Sequence, residues 1–210
     1  LLCTSLLFGK SYTIDNVKIE STIGGDGIVQ ITEKRTFNFR GRFSYAYQKI
    51  DKKLFKEIYD IQLSENGHQY INNSSSEPYT FTVTSNKKSI KIKWFHESED
   101  ISKEFVVSYK LRGALRIGPN DAQFHWTYLG DKWDKKTKQF IVEQRFERVL
   151  PTGDIWYSAT GISQDKMDVD YDGLVLTLHT RSVGKKASIR INTIFPSTYL
   201  YNPVINDHGF

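Results

Sequence analysis

The chain has 210 residues, 39% of them hydrophobic and 25% charged, which is enough apolar material for a packed core and excludes a disordered or collagen-like polymer. Its net charge of +5 comes from 29 basic against 24 acidic residues. That modest excess suits solvated surfaces, or attraction to anionic lipid or cell-wall polymer, and no nucleic-acid recognition motif accompanies it.

The first eight residues, LLCTSLLF, read as the tail of a secretory hydrophobic segment. Gly9-Lys10-Ser11 offers a small-x-small cleavage pattern with cutting after Ser11. The alternative is a buried strand. The single methionine is Met167, so an initiator and a basic leader would lie upstream. Cys3 does not fit a lipoprotein signal, because Leu2 stands where Gly or Ala is required. As Cys3 is the lone cysteine, the mature domain would hold no disulfide, no cysteine nucleophile and no thiolate zinc site. No apolar run reaches the roughly 20 residues of a membrane-spanning helix. The expected division is a leader remnant over 1–11, an exported domain over 12–200, and from 201 to 210 the start of a linker toward a membrane segment.

From there the dominant period is two, the signature of half-buried strands. VQITEKRTFNF places Val29, Ile31, Phe37 and Phe39 on one face, and YTFTVT places Tyr79, Phe81 and Val83 opposite three threonines. SIKIKW alternates Ile90, Ile92 and Trp94 with Lys91 and Lys93. EFVVSYKLRG aligns Phe105, Val107, Tyr109 and Leu111. LVLTLHT and ASIRINTIF repeat the pattern near the end. Turns are expected at GGDG (24–27), ENG (65–67), SNKK (85–88), HESED (96–100) and YDG (171–173). Only DKKLFKEI (51–58) suggests a helical turn. About a dozen strands result. The predicted fold is an all-β, antiparallel β-sandwich, with a soft boundary near 113–120 that would allow two abutting sandwich subdomains.

Several residues are candidates for chemistry. Asp168, Asp170 and Asp172 have the opening spacing of a calcium loop, but its twelfth position is His179 rather than Glu. A hairpin turn at Asp172-Gly173 accounts for the same string. Glu33 and Arg35 share the parity of the apolar residues of their strand. A carboxylate on a core face demands a partner, so Glu33 reads as half of a buried structural ion pair with a neighbouring-strand arginine. The alternatives are a general acid with a raised pKa, and a bulge that turns Glu33 outward. None of the five histidines lies at a paired metal-ligand spacing, and no nucleotide or hydrolase motif occurs. Of the four tryptophans, Trp94 and Trp126 fall on core parities. Trp133 and Trp156 are the candidates for surface contact with a ligand. In NDAQFHWTYLGDKWD (120–134), alternation sends Phe124, Trp126 and Tyr128 inward and Asp121, Gln123 and His125 outward.

The serial order of DGIVQITEKRTFNFRGRFSYAYQKI, IYDIQLSENGHQY, IKIKWFHESEDISKEFVVSYKLRGAL, NDAQFHWTYLGDKWD, and RVLP followed by WYSATG resembles the N-terminal extracytoplasmic domain of predicted membrane proteins of the family called domain of unknown function 2207. The resemblance runs from about Tyr12 onward. It implies a signal peptide, this exported β domain, then transmembrane helices that anchor it at the cell membrane. It carries no catalytic residues and no cofactor. His125 departs from the family pattern, which has an aliphatic or aromatic residue before the tryptophan. Three functions follow as expectations. The first is a non-catalytic interaction or sensing module with an unknown protein or cell-surface partner. The second is a carbohydrate-binding sandwich using Trp133 and Trp156. The third, more remote, is a glycoside hydrolase using Glu33 with a second carboxylate.

Overall fold

The computed structural model of the chain describes residues 9–130 and 135–203. Among them are sixteen strands and four short 3-10 turns. In chain order the strands are β1 (Ser11–Ile23), β2 (Val29–Arg40), β3 (Arg42–Asp51), β4 (Glu57–Glu65), β5 (His68–Gln69), β6 (Ile71–Asn72), β7 (Thr80–Ser85) and β8 (Ser89–Glu99). They continue as β9 (Ser102–Arg112), β10 (Leu115–Ile117), β11 (Asp121–Leu129), β12 (Thr137–Phe146), β13 (Trp156–Thr160), β14 (Met167–Tyr171), β15 (Val175–Thr180) and β16 (Ile189–Pro196).

Three sheets form. The large sheet has the order β14-β15-β12-β1-β2-β9-β4-β5, and two small sheets have the orders β3-β8-β7-β6 and β10-β11-β16-β13. The sheets are mixed rather than purely antiparallel, because β1 runs parallel to β12 and β6 runs parallel to β7. A parallel pair needs a long crossover. Here β1 and β12 are far apart in sequence, and the intervening chain builds all of the first small sheet and half of the second.

The small sheets cover opposite ends of the long strands. Toward the C-terminal end of β2, Trp94 and His96 of β8 pack on Phe105 and Phe39. Toward the other end, Phe195 of β16 meets Phe146 of β12, and Tyr128 of β11 bonds to Ser21 of β1. One buried cluster runs through all three layers. At 113–120 the chain leaves β9 of the large sheet and enters β10 of the second small sheet, and the residues on both sides of this crossing belong to that cluster.

Alternation places most of the core. Val29, Ile31, Phe37, Phe39, Ile90, Ile92, Trp94, Phe105, Val107, Tyr109 and Leu111 are all buried. Two expectations change. HESED is not a turn, because β8 continues through Glu99 and buries His96 and Ser98 on the same parity as Trp94. The reversal falls instead at Asp100, whose φ is 48°. YTFTVT also starts one residue late: Tyr79 has φ 64° and is 41% exposed, while Thr80 is buried. The DKKLFKEI segment forms a single 3-10 turn, Lys52–Leu54, capped by the Asp51 side chain, which accepts from the Lys53 amide at 3.0 Å.

Candidate functional site

The inward carboxylate of β2 sits midway along the long strands, within reach of β3 of the first small sheet. Glu33 is only 4% exposed. Its Oε2 accepts from the Arg35 guanidinium, and Arg35 is a neighbour on the same strand rather than on an adjacent one. Its Oε1 accepts from Gln48 Nε2 of β3 at 2.5 Å and from the Tyr109 hydroxyl of β9 at 2.8 Å. Burial, followed by the Glu33 charge, pushes the Tyr109 hydroxyl well above the usual tyrosine range, so it stays a donor. Both carboxylate oxygens are thereby engaged inside the core.

A second buried polar group lies under the first small sheet. Lys103 Nζ stands 2.5 Å from Glu65 Oε1, and Tyr70 donates to Glu65 Oε2 at 2.6 Å. Nearby, His96 Nδ1 and Ser98 Oγ are 2.7 Å apart, and the imidazole packs between Phe39 and Phe105. Burial, then the Lys103 charge, lowers the His96 pKa to about 4. The ring is therefore neutral at physiological pH.

A third group ties the second small sheet to the large one. Thr193 Oγ1 donates to Gln144 Oε1 at 2.5 Å, and Gln144 Nε2 donates to the Tyr128 hydroxyl at 2.9 Å. Tyr128 and Ser21 hydroxyls are 2.6 Å apart. Desolvation raises the Tyr128 pKa, which keeps its proton available to this relay.

The other sequence candidates do not converge. Asp168 and Asp170 are exposed on β14. Asp172 Oδ1 accepts from the amides of Leu174 at 2.9 Å and Val175 at 2.7 Å, which closes the β14–β15 hairpin and holds its carboxyl below the usual range. Among the described residues no group of three or more His, Cys, Asp or Glu side chains could hold a metal ion. Trp133 lies outside the described residues. Trp156 is 55% exposed at the edge of the second small sheet, in register with Ile194 and, through it, with Gln123. His125 is on the same face beside Asn192. Burial, then Arg116 and Arg190, lowers its pKa.

The outer face of the first small sheet was not singled out by any motif. Tyr45 and Tyr47 of β3 are 52% and 54% exposed. Lys93 Nζ lies 4.3 Å from the Tyr45 ring centroid and 4.6 Å from that of Phe95, and Lys91 Nζ lies 4.8 Å from that of Tyr47. The outward parity of Lys91 and Lys93 was legible in SIKIKW. Their assembly with Tyr45 and Tyr47 depends on β3 pairing with β8, which local pattern does not determine.

The architecture is that of a β-sandwich domain in which one long sheet is covered by two short ones, with buried hydrogen bonds at Glu33 and at Gln144 joining the large sheet to each of them. The chain belongs to the family of predicted membrane proteins DUF2207 and is its N-terminal domain, the match covering residues 13–195. No curated protein matches it. Among solved structures it is similar to a candidate protease from Parabacteroides distasonis, with a TM-score of 0.51 and 10% identity over 88% of this chain and 40% of that one. It is also similar to yeast LTA4 hydrolase in complex with bestatin, with a TM-score of 0.52 and 8% identity over 87% of this chain and 28% of the other. A candidate nutrient-binding protein from Legionella pneumophila gives 0.50 and 6% over 87% and 66%. The chain thus spans less than half the length of the first two, and at these identities the likeness is one of fold alone. Among the described residues no helix is long and apolar enough to cross a membrane.

Proposed function

We propose that this chain is a non-catalytic interaction domain of a membrane-anchored protein, displayed on the extracytoplasmic side. The observation that carries the reading is the state of Glu33. The residue best placed by sequence to act as an acid is buried, bound to Arg35, Gln48 and Tyr109, and faces the core rather than a cleft. A glycosidase acid must reach the glycosidic oxygen, with a second carboxyl group within about 10 Å across the substrate. The Glu33 cluster instead ties β3 of the first small sheet to the large sheet, which leaves the outer faces as the surfaces available to partners. The family description supports membrane anchoring.

Topology is tested by labelling. In the full-length protein with all its native cysteines replaced by serine, an exposed Asp168→Cys is expected to react with a membrane-impermeant maleimide on intact cells. Reaction only after lysis would overturn the extracytoplasmic placement.

A second reading, carbohydrate binding, is favoured by Trp156, whose exposed ring shares a sheet face with Gln123, His125 and Asn192. Rings of this kind supply stacking platforms. Binding on a glycan array that is lost in Trp156→Ala would favour it over the first reading.

A further inference from the structure

We infer that the outer face of the β3-β8-β7-β6 sheet is a docking surface for an anionic phospholipid bilayer. This rests on the reading of the domain as an interaction module of a membrane-anchored protein.

The face is built in rows across the strands. In the first row Ile71 is 66% and Tyr45 52% exposed on either side of Phe95, while Thr80, in register between Ile71 and Phe95, is buried and donates to the Glu77 carbonyl at 2.6 Å. Thr82, Lys93 and Tyr47 form the next, then Thr84, Lys91 and Lys49. The surface therefore grades from apolar and aromatic to aromatic and cationic within three rows. Among the described residues no carboxylate pairs with Lys49, Lys91 or Lys93. Acidic groups stay at the borders, where Glu99 bonds Arg42 at 3.1 Å and Asp51 caps the turn that follows β3. Glu97 is exposed beyond the apolar row.

Two features favour a bilayer over a soluble polyanion. The face is an open sheet, and tyrosine rings with neighbouring lysines match the headgroup region, where rings settle at the apolar boundary and ammonium groups meet phosphates. The Lys91 and Lys93 ammonium groups lie over the Tyr47 and Tyr45 rings, so their charges are held beside the rings rather than dispersed in solvent. A domain tethered to a membrane also meets that surface at high effective concentration.

The test is sedimentation of the 210-residue chain with vesicles of equimolar phosphatidylglycerol and phosphatidylcholine, against pure phosphatidylcholine. Binding is expected to the anionic vesicles only, and to weaken as salt rises. Lys49→Gln with Lys91→Gln and Lys93→Gln is expected to weaken it about 100-fold, at roughly fivefold for each lysine. The corresponding triple arginine variant should retain binding, and unchanged melting temperatures would show that both variants fold. Tyr45→Thr with Tyr47→Thr should also weaken it, because the rings enter the headgroup layer. Equal binding to neutral vesicles, or no effect of the lysine changes, would overturn the proposal. So would alginate binding as tight as that of the anionic vesicles and indifferent to the tyrosine changes, which would assign the face to a soluble polyanion. Intact-cell labelling at position 168 reads the parent function separately. Labelling without vesicle binding removes only this inference, whereas vesicle binding with labelling only after lysis moves the face to the inner leaflet.

Discussion

The Tyr109 hydroxyl donates to Glu33 Oε1 at 2.8 Å, joining β9 to β2 at the carboxylate that Gln48 of β3 also reaches. Glu33→Ala removes the acceptor of three groups at once and leaves the Arg35 charge, 13% exposed, without its carboxylate. Breaking one side of a buried pair typically costs about 3 to 5 kcal/mol. Denaturant unfolding should show a loss in that range. Tyr109→Phe should lose about 1 kcal/mol, because Glu33 Oε1 keeps Gln48. A neutral Glu33→Ala would mean that the cluster contributes nothing to stability.

His96 should make the domain acid-sensitive. Its folded pKa is lowered from 6.5 to about 4, by burial and then by Lys103, with Glu65 acting in the opposite direction. A proton therefore binds the unfolded chain before the folded one. The contribution is level above about pH 7, and stability falls as pH drops from about 6.5 to 4, by up to about 3 kcal/mol from this residue. Urea midpoints measured across that interval should fall for the parent and fall less for His96→Leu. Parallel curves would exclude His96 as the source.

Gly161 should tolerate no side chain. Its φ is +94°, and a Cβ there would lie 1.7 Å from the Ser188 carbonyl oxygen, a backbone atom that cannot swing aside. Gly161→Ala should cost at least about 2 kcal/mol, from the left-handed conformation and the forced separation of the chain there. At Gly184 a Cβ meets nothing within 4 Å, and no left-handed φ applies. Gly184→Ala should be neutral or slightly stabilising in thermal melts. Equal effects at the two positions would contradict the close approach of Gly161 to Ser188.

Tyr128→Phe should uncouple the second small sheet. The hydroxyl lies between Ser21 and Gln144, both fully buried, and removing it leaves them short of a partner. A cost of about 1 to 3 kcal/mol is expected. A double-mutant cycle with Ser21→Ala should give a coupling of at least about 0.5 kcal/mol.

Where buried residues are apolar and evenly spaced, the strands can be read directly. The Phe105–Leu111 part of β9 and the Ile90–Trp94 part of β8 show this, as does the Phe124, Trp126, Tyr128 face of β11. Where a buried position is polar, pattern misleads: the Glu, Ser and Asp of HESED suggest a turn, yet His96 and Ser98 lie in the core. β12 is obscured in the same way, because Thr137 and Gln144 are both buried. β1 is hidden by a register shift between Ile14 and Asn16, which puts Ile14 and Val17 on the same face three residues apart.

The residues therefore determined by themselves that this chain is all-β, which side chains most strands bury, and which family order it follows, because burial in a sheet imposes a period of two on neighbouring residues. The tertiary structure alone decided that β1 lies parallel to β12, that Glu33 meets Gln48 and Tyr109, and that Tyr45 and Tyr47 share one face with Lys91 and Lys93. Those relationships join residues far apart in the chain, and strand pairing is chosen by the packing of whole sheets rather than by any local preference.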